Sequence, residues 1–354
     1  MSGHVLAARL DSAGDVLVTG PAVRAVAARA DRLTFLAGPR GRAAAELLPG
    51  VDEVVEFAAG WVDFDRPPVT ARVIDDLVAT LATRHIDEAL IFTSFHQSPL
   101  PLALVLRMAG VARICAISTD YPGSLLDVRH AVDDDVPEPV RALSLAAAAG
   151  YPSTDSALAV RTDLPDVRAL TGDPGYVVVH PGAAVPARRM SAQRNRAMVA
   201  ALVRAGYRVL VTGGPDETAL TATVSGADAV DLGGATDLPM LAAVLRAARV
   251  VVAPNTAAAH LAAAVGTPVV SLFAPVVPAR RWAPHQVPCI VLGDQSAPCA
   301  GSRARDCPIP GHPCLEHISD EAVVAAVDTL VVASSARLPA VLPVQERARM
   351  NAVP

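Results

Sequence analysis

Short runs of β-forming residues alternate with Ala-, Leu- and Arg-rich helical patterns along most of the 354 residues of this chain. Such alternation is typical of βαβ units, in which helices connect parallel strands and cover both faces of the sheet. A chain of this length is long enough for two domains, each with its own hydrophobic core. The alternation therefore predicts an α/β protein with two Rossmann-like domains and mainly parallel sheets.

A segment with few strand signals, 124–175, separates the predicted strands into two series. It contains one helical pattern, at 139–149, and we place the domain boundary within it. The predicted units are an N-terminal domain over 1–165, a C-terminal domain over 174–330 and a Pro- and Ala-rich tail over 331–354, which is either mobile or lies across the other domain. The predicted strands are 5–10, 33–37, 51–57, 89–93 and 113–118 in the first series, and 176–180, 207–212, 229–232, 249–253, 268–273 and 289–292 in the second.

The charge and hydropathy of the chain restrict its partners and its location. A formal net charge of -5 and a pI near 6.0 provide no basic field for a nucleic-acid backbone, so nucleic acid is not an expected partner. The N-terminus lacks the pattern of a secretory signal. The uncharged run 261–279 is interrupted by Gly266, Pro268, Pro275 and Pro278, which predicts a helix, a turn, a strand and a loop instead of a transmembrane segment. We expect a cytoplasmic protein, either free or in peripheral contact with the inner face of the membrane.

Two successive Rossmann-like domains predict a cleft between them, where ligands meet the carboxyl ends of the strands. Asp15 follows the first predicted strand and belongs to a helix start at the edge of this cleft. The dinucleotide fingerprint G-x-G-x-x-G is absent there. Taken alone, the segment is better explained by a simple helix cap at Asp11, Ser12 or Asp15.

Three segments of the second half carry polar side chains at the ends of predicted strands. His180-Pro181-Gly182 precedes the pair Arg188-Arg189, which suits a phosphate or forms a solvated pair at a helix start. Gly213 to Glu217 places a carboxylate after a strand, either for ribose hydroxyls or as an ordinary turn. Asn255 to His260 begins an Ala-rich helix, whose free N–H groups favour a diphosphate, although Asn255 or Thr256 is also a common helix cap and His260 is alternatively a packed histidine.

In this order and spacing the segments resemble glycosyltransferase family 9, the family of ADP-heptose:lipopolysaccharide heptosyltransferases. The family pattern R-L-x-x-x-G-D-V-x-x-T-x-P-A is similar to residues 9–22, and P-G followed by K-R-W is similar to 181–190. The pattern G-G-P-x-E matches 213–217, and D-[ST]-G-x-x-H-L-A-A-A-x-G-T-P is similar to 255–268.

The resemblance implies the GT-B architecture and a transfer with inversion at the anomeric carbon. The donor is a nucleotide-diphosphate sugar, with a heptose-like sugar as the first candidate, and the acceptor is a saccharide or lipid-linked hydroxyl. No cofactor is required. The roles that the resemblance implies are general base for Asp15, phosphate binding for Arg188, Asn255, Thr256, Ala257 and His260, and nucleoside binding for Glu217 and Thr236.

Four positions depart from the family pattern. Asn255 replaces Asp, Ala257 replaces Gly, Arg188 replaces Lys and Met190 replaces Trp. The first change removes a carboxylate, and the second adds a methyl group where the backbone approaches phosphate. The donor and the activity are therefore less constrained by the sequence than the fold.

Other polar residues allow weaker predictions. Ser12, His96 and Gln97 are predicted on the acceptor side. The run 133–135 is interpreted as solvated charge instead of a metal-binding D-x-D motif. No metal is expected, since reduced thiols are favoured in the cytoplasm, although a zinc site remains an alternative for Cys299, Cys307 and Cys314.

Two other functions are compatible with these patterns. A nucleotide-sugar 2-epimerase shares the two-sheet architecture but has no need for an acceptor base at Asp15. A catalytically degenerate nucleotide-sugar-binding protein is suggested by Asn255 and Ala257.

Overall fold

The structure, a computed structural model, describes residues 3–62, 67–133 and 135–335. Two parallel six-stranded sheets form its framework. The first sheet contains β1 (His4–Arg9), β2 (Arg32–Ala37), β3 (Glu53–Glu56), β4 (Glu88–Ile91), β5 (Arg113–Ile117) and β6 (Val128–His130). The second contains β7 (Val177–Val179), β8 (Val209–Gly213), β9 (Val230–Gly233), β10 (Val250–Pro254), β11 (Val269–Leu272) and β12 (Cys289–Leu292).

Both sheets have the same doubly wound topology. Their strand orders are β3-β2-β1-β4-β5-β6 and β12-β11-β10-β7-β8-β9, and every neighbouring pair is parallel. The chain order reverses beside β1 in the first sheet and beside β7 in the second. Ligands bind at such switch points, outside the carboxyl ends of the strands.

Thirteen helices connect the described strands or follow them. They are α1 (Ala13–Ala27), α2 (Arg42–Leu47), α3 (Ala71–Ala82), α4 (Leu100–Met108), α5 (Glu138–Ala149), α6 (Arg168–Thr171), α7 (Ala192–Arg204), α8 (Thr218–Ser225), α9 (Leu238–Ala247), α10 (Ala257–Ala264), α11 (Ala279–Trp282), α12 (Pro313–Glu316) and α13 (Asp320–Ser335).

The hydrophobic core is continuous from one sheet to the other. Val16 and Leu17 of α1 belong to the same buried cluster as Ala259 and Leu261 of α10. Because the apolar sides of both helices exclude water together, the two N-terminal ends of these helices are held facing each other. The cleft between the sheets therefore has a fixed and closely packed floor.

The α/β fold and both parallel sheets are confirmed. Every predicted strand overlaps an observed one, whereas β6 was missed because its three residues include Arg129 and His130 and it lies at a sheet edge. Of the predicted tail, residues 331–335 continue α13, and 336–354 lie outside the described residues.

The uncharged run 261–279 forms the end of α10, a turn, β11 and a loop, as predicted. Among the described helices, none has both the length and the apolar character required to cross a membrane.

Candidate active site

Asp15 lies in the first turn of α1, immediately beyond the carboxyl end of β1. The Ser12 hydroxyl donates a hydrogen bond to Asp15 Oδ2 at 2.6 Å, and the Ser12 N–H donates to the same oxygen at 3.2 Å. Asp15 thus satisfies a free N–H at the helix start, as the capping interpretation required. Its side chain remains 18% exposed, so capping leaves it accessible from the cleft.

A buried guanidinium lies between Asp15 and a second carboxylate. Arg9 is only 1% exposed, and its Nε lies 2.7 Å from Asp11 Oδ2. Arg9 Nη2 lies 3.1 Å from Asp15 Oδ1 and donates to the Ser94 hydroxyl at 3.0 Å. One cation therefore balances two carboxylates at the end of β1, a role that the sequence analysis did not assign to Arg9.

The two carboxylates have opposite electrostatic environments. Burial would raise the pKa of Asp15, but the Arg9 cation and the hydrogen bonds from Ser12 lower it below its ordinary value. Burial and repulsion from Asp15 raise the pKa of Asp11, despite its contact with Arg9. Asp15 is consequently the ionised and partly accessible carboxylate of the pair.

The loop after β4 holds Asp11 from its other side. Gln97 Nε2 donates to Asp11 Oδ1 at 2.5 Å, and the Ser94 N–H donates to Gln97 Oε1 at 3.2 Å. Both ends of the Gln97 amide are thus occupied within the protein, whereas His96 is exposed. Acceptor contacts by Ser12, His96 and Gln97 stay predictions.

The opposite wall of the site is the start of α10. Thr256 is the residue before the first turn of this helix, and Asn255 is buried at the end of the preceding strand. A Cβ on Gly14 would lie 3.3 Å from His260 Cδ2 and 3.4 Å from the Cα of Ala257. The absence of a side chain at Gly14 therefore allows the N-terminal ends of α1 and α10 to meet, and both predicted walls come together.

Three buried nitrogen atoms at this meeting point have no hydrogen-bond partner among the described residues. They are Arg188 Nε, Asn255 Nδ2 and His260 Nδ1. Burial lowers the pKa of Arg188 and that of His260, the latter to about 4, while the Asp15 charge opposes both shifts. Arg188 and His260 also act on each other, so both lie within electrostatic range of Asp15 and of one another. Unpartnered buried polar atoms are rare, and these three nitrogens have the chemistry to bind a polar ligand.

Glu217 joins two further segments that are distant in the sequence. Its Oε2 accepts the Gly214 N–H at 2.9 Å. A Cβ on Gly182 would lie only 1.9 Å from Glu217 Oε1, so a residue without a side chain is required for this carboxylate to pack there. His180 is hydrogen-bonded through Nδ1 to the Thr212 hydroxyl at 3.0 Å. The segments 180–190 and 213–217 therefore form one surface, as their collinearity in the sequence suggested.

A comparison with protein-family models identifies the family to which these segments belong. The model described as "Glycosyltransferase family 9 (heptosyltransferase)" matches residues 97–311, more than half of the chain. The chain belongs to glycosyltransferase family 9. The family 9 chain is also 29% identical over 168 residues to lipopolysaccharide heptosyltransferase 3 of Escherichia coli. That match covers 45% of the chain and 48% of the relative, so the chain spans about half the length of this relative.

Solved structures show the same fold over nearly the whole chain. E. coli ADP-heptose lipopolysaccharide heptosyltransferase II is 19% identical, with a TM-score of 0.72 and coverage of 95% of this chain and 100% of that one. A family 9 glycosyltransferase from Veillonella parvula is 17% identical, with a TM-score of 0.74 and coverage of 93% and 97%. E. coli heptosyltransferase WaaC with ADP-2-deoxy-2-fluoro heptose is 19% identical, with a TM-score of 0.67 and coverage of 92% and 99%. These likenesses confirm the GT-B architecture.

The departures of this family 9 chain from the family pattern have visible structural correlates. Asn255 is 5% exposed and presents an amide donor where a carboxylate would have only acceptors. The extra methyl group of Ala257 lies at the helix start that meets Gly14. Met190, a further departure, is buried in the core of the second sheet. Thr236, predicted to bind the nucleoside, is half-buried between β9 and α9.

A cavity of about 480 Å³ adjoins the site at the carboxyl end of the first sheet. Its wall includes Phe95, Gln97, Thr119, Asp120, Arg129 and His130. The centre of the Phe95 ring, in turn, lies 5.0 Å from the guanidinium carbon of Arg281 and 5.1 Å from that of Arg303, both of which belong to the second unit, the part of the chain built around the second sheet. No sequence signal links Phe95 to these arginines, because they are far apart in the chain and belong to different units.

The cysteine-rich segment 299–314 includes Arg303, which contacts Phe95. Cys299 and Cys314 are buried, Cys307 is partly buried, and all three thiols are free. Burial raises the pKa of Cys314 to about 11, with Cys299 and Cys307 adding to the shift, so the three sulfurs are near neighbours. Within the described ranges, no cluster of three or more His, Cys, Asp or Glu side chains has the arrangement of a metal site.

Proposed function

We propose that this protein transfers a heptose-like sugar, with inversion, from a nucleotide-diphosphate donor to a hydroxyl of a saccharide or lipid-linked acceptor. The observation that carries the proposal is the group of unpartnered buried nitrogens of Arg188, Asn255 and His260 at the start of α10, which faces the helix start that carries the ionised Asp15. Donors without a partner suit an anionic diphosphate, and the adjacent carboxylate suits a hydroxyl that must lose a proton.

Asp15 acts as the general base in this mechanism. A sugar hydroxyl is a weak nucleophile until its proton is removed during attack on the anomeric carbon. Ser12 and Arg9 orient one carboxylate oxygen each, and the low pKa of Asp15 keeps the carboxylate charged. The partner carboxylate, Asp11, already accepts hydrogen bonds from Gln97 and Ser94 and contacts Arg9. One available carboxylate supports a single displacement, which inverts the anomeric configuration.

The leaving diphosphate is bound at the start of α10. The free N–H groups of the first helical turn point toward negative charge, and the helix dipole adds to the attraction. Arg188 supplies a full positive charge, and Asn255 supplies an amide donor. His260 is neutral at physiological pH because burial lowers its pKa to about 4, so it binds through a hydrogen bond instead of a charge. This set neutralises the developing charge, and we propose that no metal ion or other cofactor is needed.

The nucleoside lies against the surface formed by Gly182 and Glu217, with Thr236 on the neighbouring loop. Glu217 keeps one carboxylate oxygen on the Gly214 N–H, which leaves Oε1 available for ribose hydroxyl groups. ADP-heptose is the first donor to test, since relatives of similar fold carry ADP-heptose or ADP-2-deoxy-2-fluoro heptose in their names. We place the acceptor in the cavity beside Phe95, and the protein at the inner face of the membrane when that acceptor is lipid-linked.

Nucleotide binding is the first test of this proposal. Calorimetric titration with ADP, GDP and UDP should show one nucleotide bound at one site, and Arg188→Gln should weaken its binding about tenfold or more, because a charge-assisted contact is lost. Arg189→Gln is a matched control, because its exposed side chain neighbours Arg188. If all three nucleotides fail to bind, the donor site has been wrongly assigned.

The reaction is tested with ADP-heptose and the Asp15→Asn variant. We expect Asp15→Asn to bind ADP normally but to lower transfer by about 10² to 10⁴, the usual contribution of a general base. Asp155→Asn, at an exposed ion pair with Arg24, is the control and should keep full activity. EDTA should not reduce the rate. An epimerised donor formed without acceptor would instead support an epimerase, and unchanged turnover of Asp15→Asn would show that the base is wrong.

A further inference from the structure

Arg281 of α11 reaches across the cleft to the first unit, the part of the chain built around the first sheet. Its guanidinium carbon lies 5.0 Å from the centre of the Phe95 ring, and its Nη2 lies 3.8 Å from Asp135 Oδ1. The side chain is 13% exposed, so these contacts bury a cation between the two units. The neighbouring Arg280 also pairs with Asp135 but is mostly exposed. Asp135 itself is exposed, consistent with the prediction of solvated charge, and it forms these ion pairs in addition.

The ring that Arg281 contacts belongs to the loop that supports the proposed base. Phe95 lies between Ser94, which bonds to both Arg9 and Asp11, and Gln97, which donates to Asp11. A displacement of this ring would move the partners that hold Arg9 and Asp11. Contact across the cleft is thus connected through one short loop to the ion pair that orients Asp15.

A second connection passes through Glu138, at the start of α5. This carboxylate is 2% exposed, its Oε1 has no hydrogen-bond partner, and its Oε2 lies 3.9 Å from Arg141 Nη1. The charged groups that act on it are Arg9 of β1, Asp15 of α1, Arg141 of α5 and Arg281 of α11. Burial raises the pKa of Glu138, the three arginines oppose that shift, and Asp15 reinforces it. Arg281 is the one cation of these three that the second unit supplies.

We propose that Arg281 is a positioning residue that completes the charge balance around Glu138 when the cleft is closed, and thereby leaves Arg9 to hold Asp15. The effect of Arg281 on the reaction rate rests on the proposed function. The electrostatic coupling between Arg281 and Glu138 does not, because it is measured without substrate.

The physical reason is that buried charges need compensation. Arg141 Nη1 lies 3.9 Å from Glu138 and donates to the Thr93 carbonyl at 2.7 Å, and Arg281 contacts Asp135, three residues before Glu138, so both guanidinium groups belong to the surroundings of this buried carboxylate. If the units separate, the cation leaves, and Glu138 either takes up a proton or competes with Asp15 for Arg9. Protonation of Glu138 and competition for Arg9 both change the charges around Arg9, the group that orients Asp15. Transfer would then proceed only from the closed form, which excludes water from the donor.

A substrate-free measurement tests the coupling. We expect Arg281→Gln to lower the Tm at pH 8 by about 2 °C or more, since ionised Glu138 loses a compensating cation. The loss should fade toward pH 4.5, where protonation of Glu138 removes the charge that needed compensation. Arg280→Gln is the matched control, because it removes a guanidinium from the same helix and the same Asp135 partner.

The Glu138→Gln background separates this role from a purely structural contact. There, Arg281→Gln should lower the Tm by the same amount at both pH values, because the buried carboxylate that needed compensation is gone and only the exposed Asp135 still faces Arg281. Equal pH dependence in the two backgrounds, or the same pH dependence in Arg280→Gln, would overturn the proposal.

The kinetic consequence is measured with ADP-heptose. Arg281→Gln should reduce kcat about tenfold with little change in the donor KM, and Arg281→Lys should recover most of the rate because it retains the charge. A uniform loss in both variants would show that the arginine acts only by packing. If the wild-type protein does not use this donor, the proposed donor fails, while the Tm comparison still decides the electrostatic coupling.

Discussion

Removal of the buried Arg9 cation should have a large and pH-dependent effect on stability. Arg9→Met keeps much of the side-chain volume but deletes the contacts at 2.7 Å to Asp11 and 3.1 Å to Asp15, together with the bond to Ser94. At an effective dielectric constant near 20, a single pair at 2.7 Å has a gross Coulomb attraction of about 6 kcal/mol. Part of that attraction only offsets the desolvation of the charges, so the gross value is an upper bound.

The net loss in the free energy of unfolding depends on the charged partners that remain after Arg9 is replaced. Breaking a buried pair by removing one member typically costs about 3–5 kcal/mol, because an uncompensated charge stays behind. Here two carboxylates stay behind, and we expect the upper half of that range, about 4–5 kcal/mol, for the unfolding of the first unit. Arg9→Lys keeps the charge but not the fork that reaches both carboxylates, so it should be intermediate.

Equilibrium unfolding in guanidinium chloride, followed by circular dichroism at several pH values, measures this loss. Asp15 has a lowered pKa in the folded protein, so its stabilisation is present at neutral pH and disappears as the pH falls through that value. The difference between wild type and Arg9→Met should therefore shrink as the pH falls below 3.8, the ordinary pKa of an aspartate. Arg161→Gln, at an exposed pair with Asp163, is the control and should leave the transition nearly unchanged. A similarly small effect of Arg9→Met at pH 7 would refute the charge-balance reasoning.

Three further perturbations test separate parts of the site. Gly182→Ala places a Cβ 1.9 Å from Glu217 Oε1, so the carboxylate must move and ADP affinity should fall about tenfold in calorimetry; an unchanged affinity would remove Glu217 from the nucleoside site. The His260 imidazole should titrate near pH 4 in an NMR experiment, since burial lowers its pKa to about 4, and a midpoint near 6.5 would contradict its buried position. Gly14→Ala adds a methyl group only 3.3 Å from His260 Cδ2, so one of the two helix starts must shift by a few tenths of an ångström, which should lower the nucleotide-induced decrease in the radius of gyration measured by X-ray scattering; an unaltered decrease would show that the helix starts tolerate the extra methyl group.

Much of the fold was predictable because its signals are local. Continuous Val-rich runs such as 250–253 mark a strand buried on both faces, and the residues that follow mark the next turn and helix. Such patterns depend on neighbours in the chain, which is why the strands of both sheets were predicted while β6, with Arg129 and His130 at an edge, was not. The order of the motifs likewise predicted the family.

The site was only partly predictable for the opposite reason. Asp15 and the helix start after Asn255 were recognisable from their own segments, whereas Arg9, although it is the first residue of the family pattern, carries no local signal of its role. Its importance follows from burial and from contacts with Asp11, Asp15 and Ser94, the last of which is distant in the chain.

Tertiary structure alone decided which partners meet across the cleft. Glu138 reads locally as an acidic residue in the first turn of a helix, and Arg281 as a surface arginine. Packing of the two units removes water from both, and electrostatic interaction strengthens as the surrounding dielectric constant falls. Local sequence therefore determined the helices, the strands and the proposed base, whereas the charges that hold the base in place depend on long-range burial that no local pattern encodes.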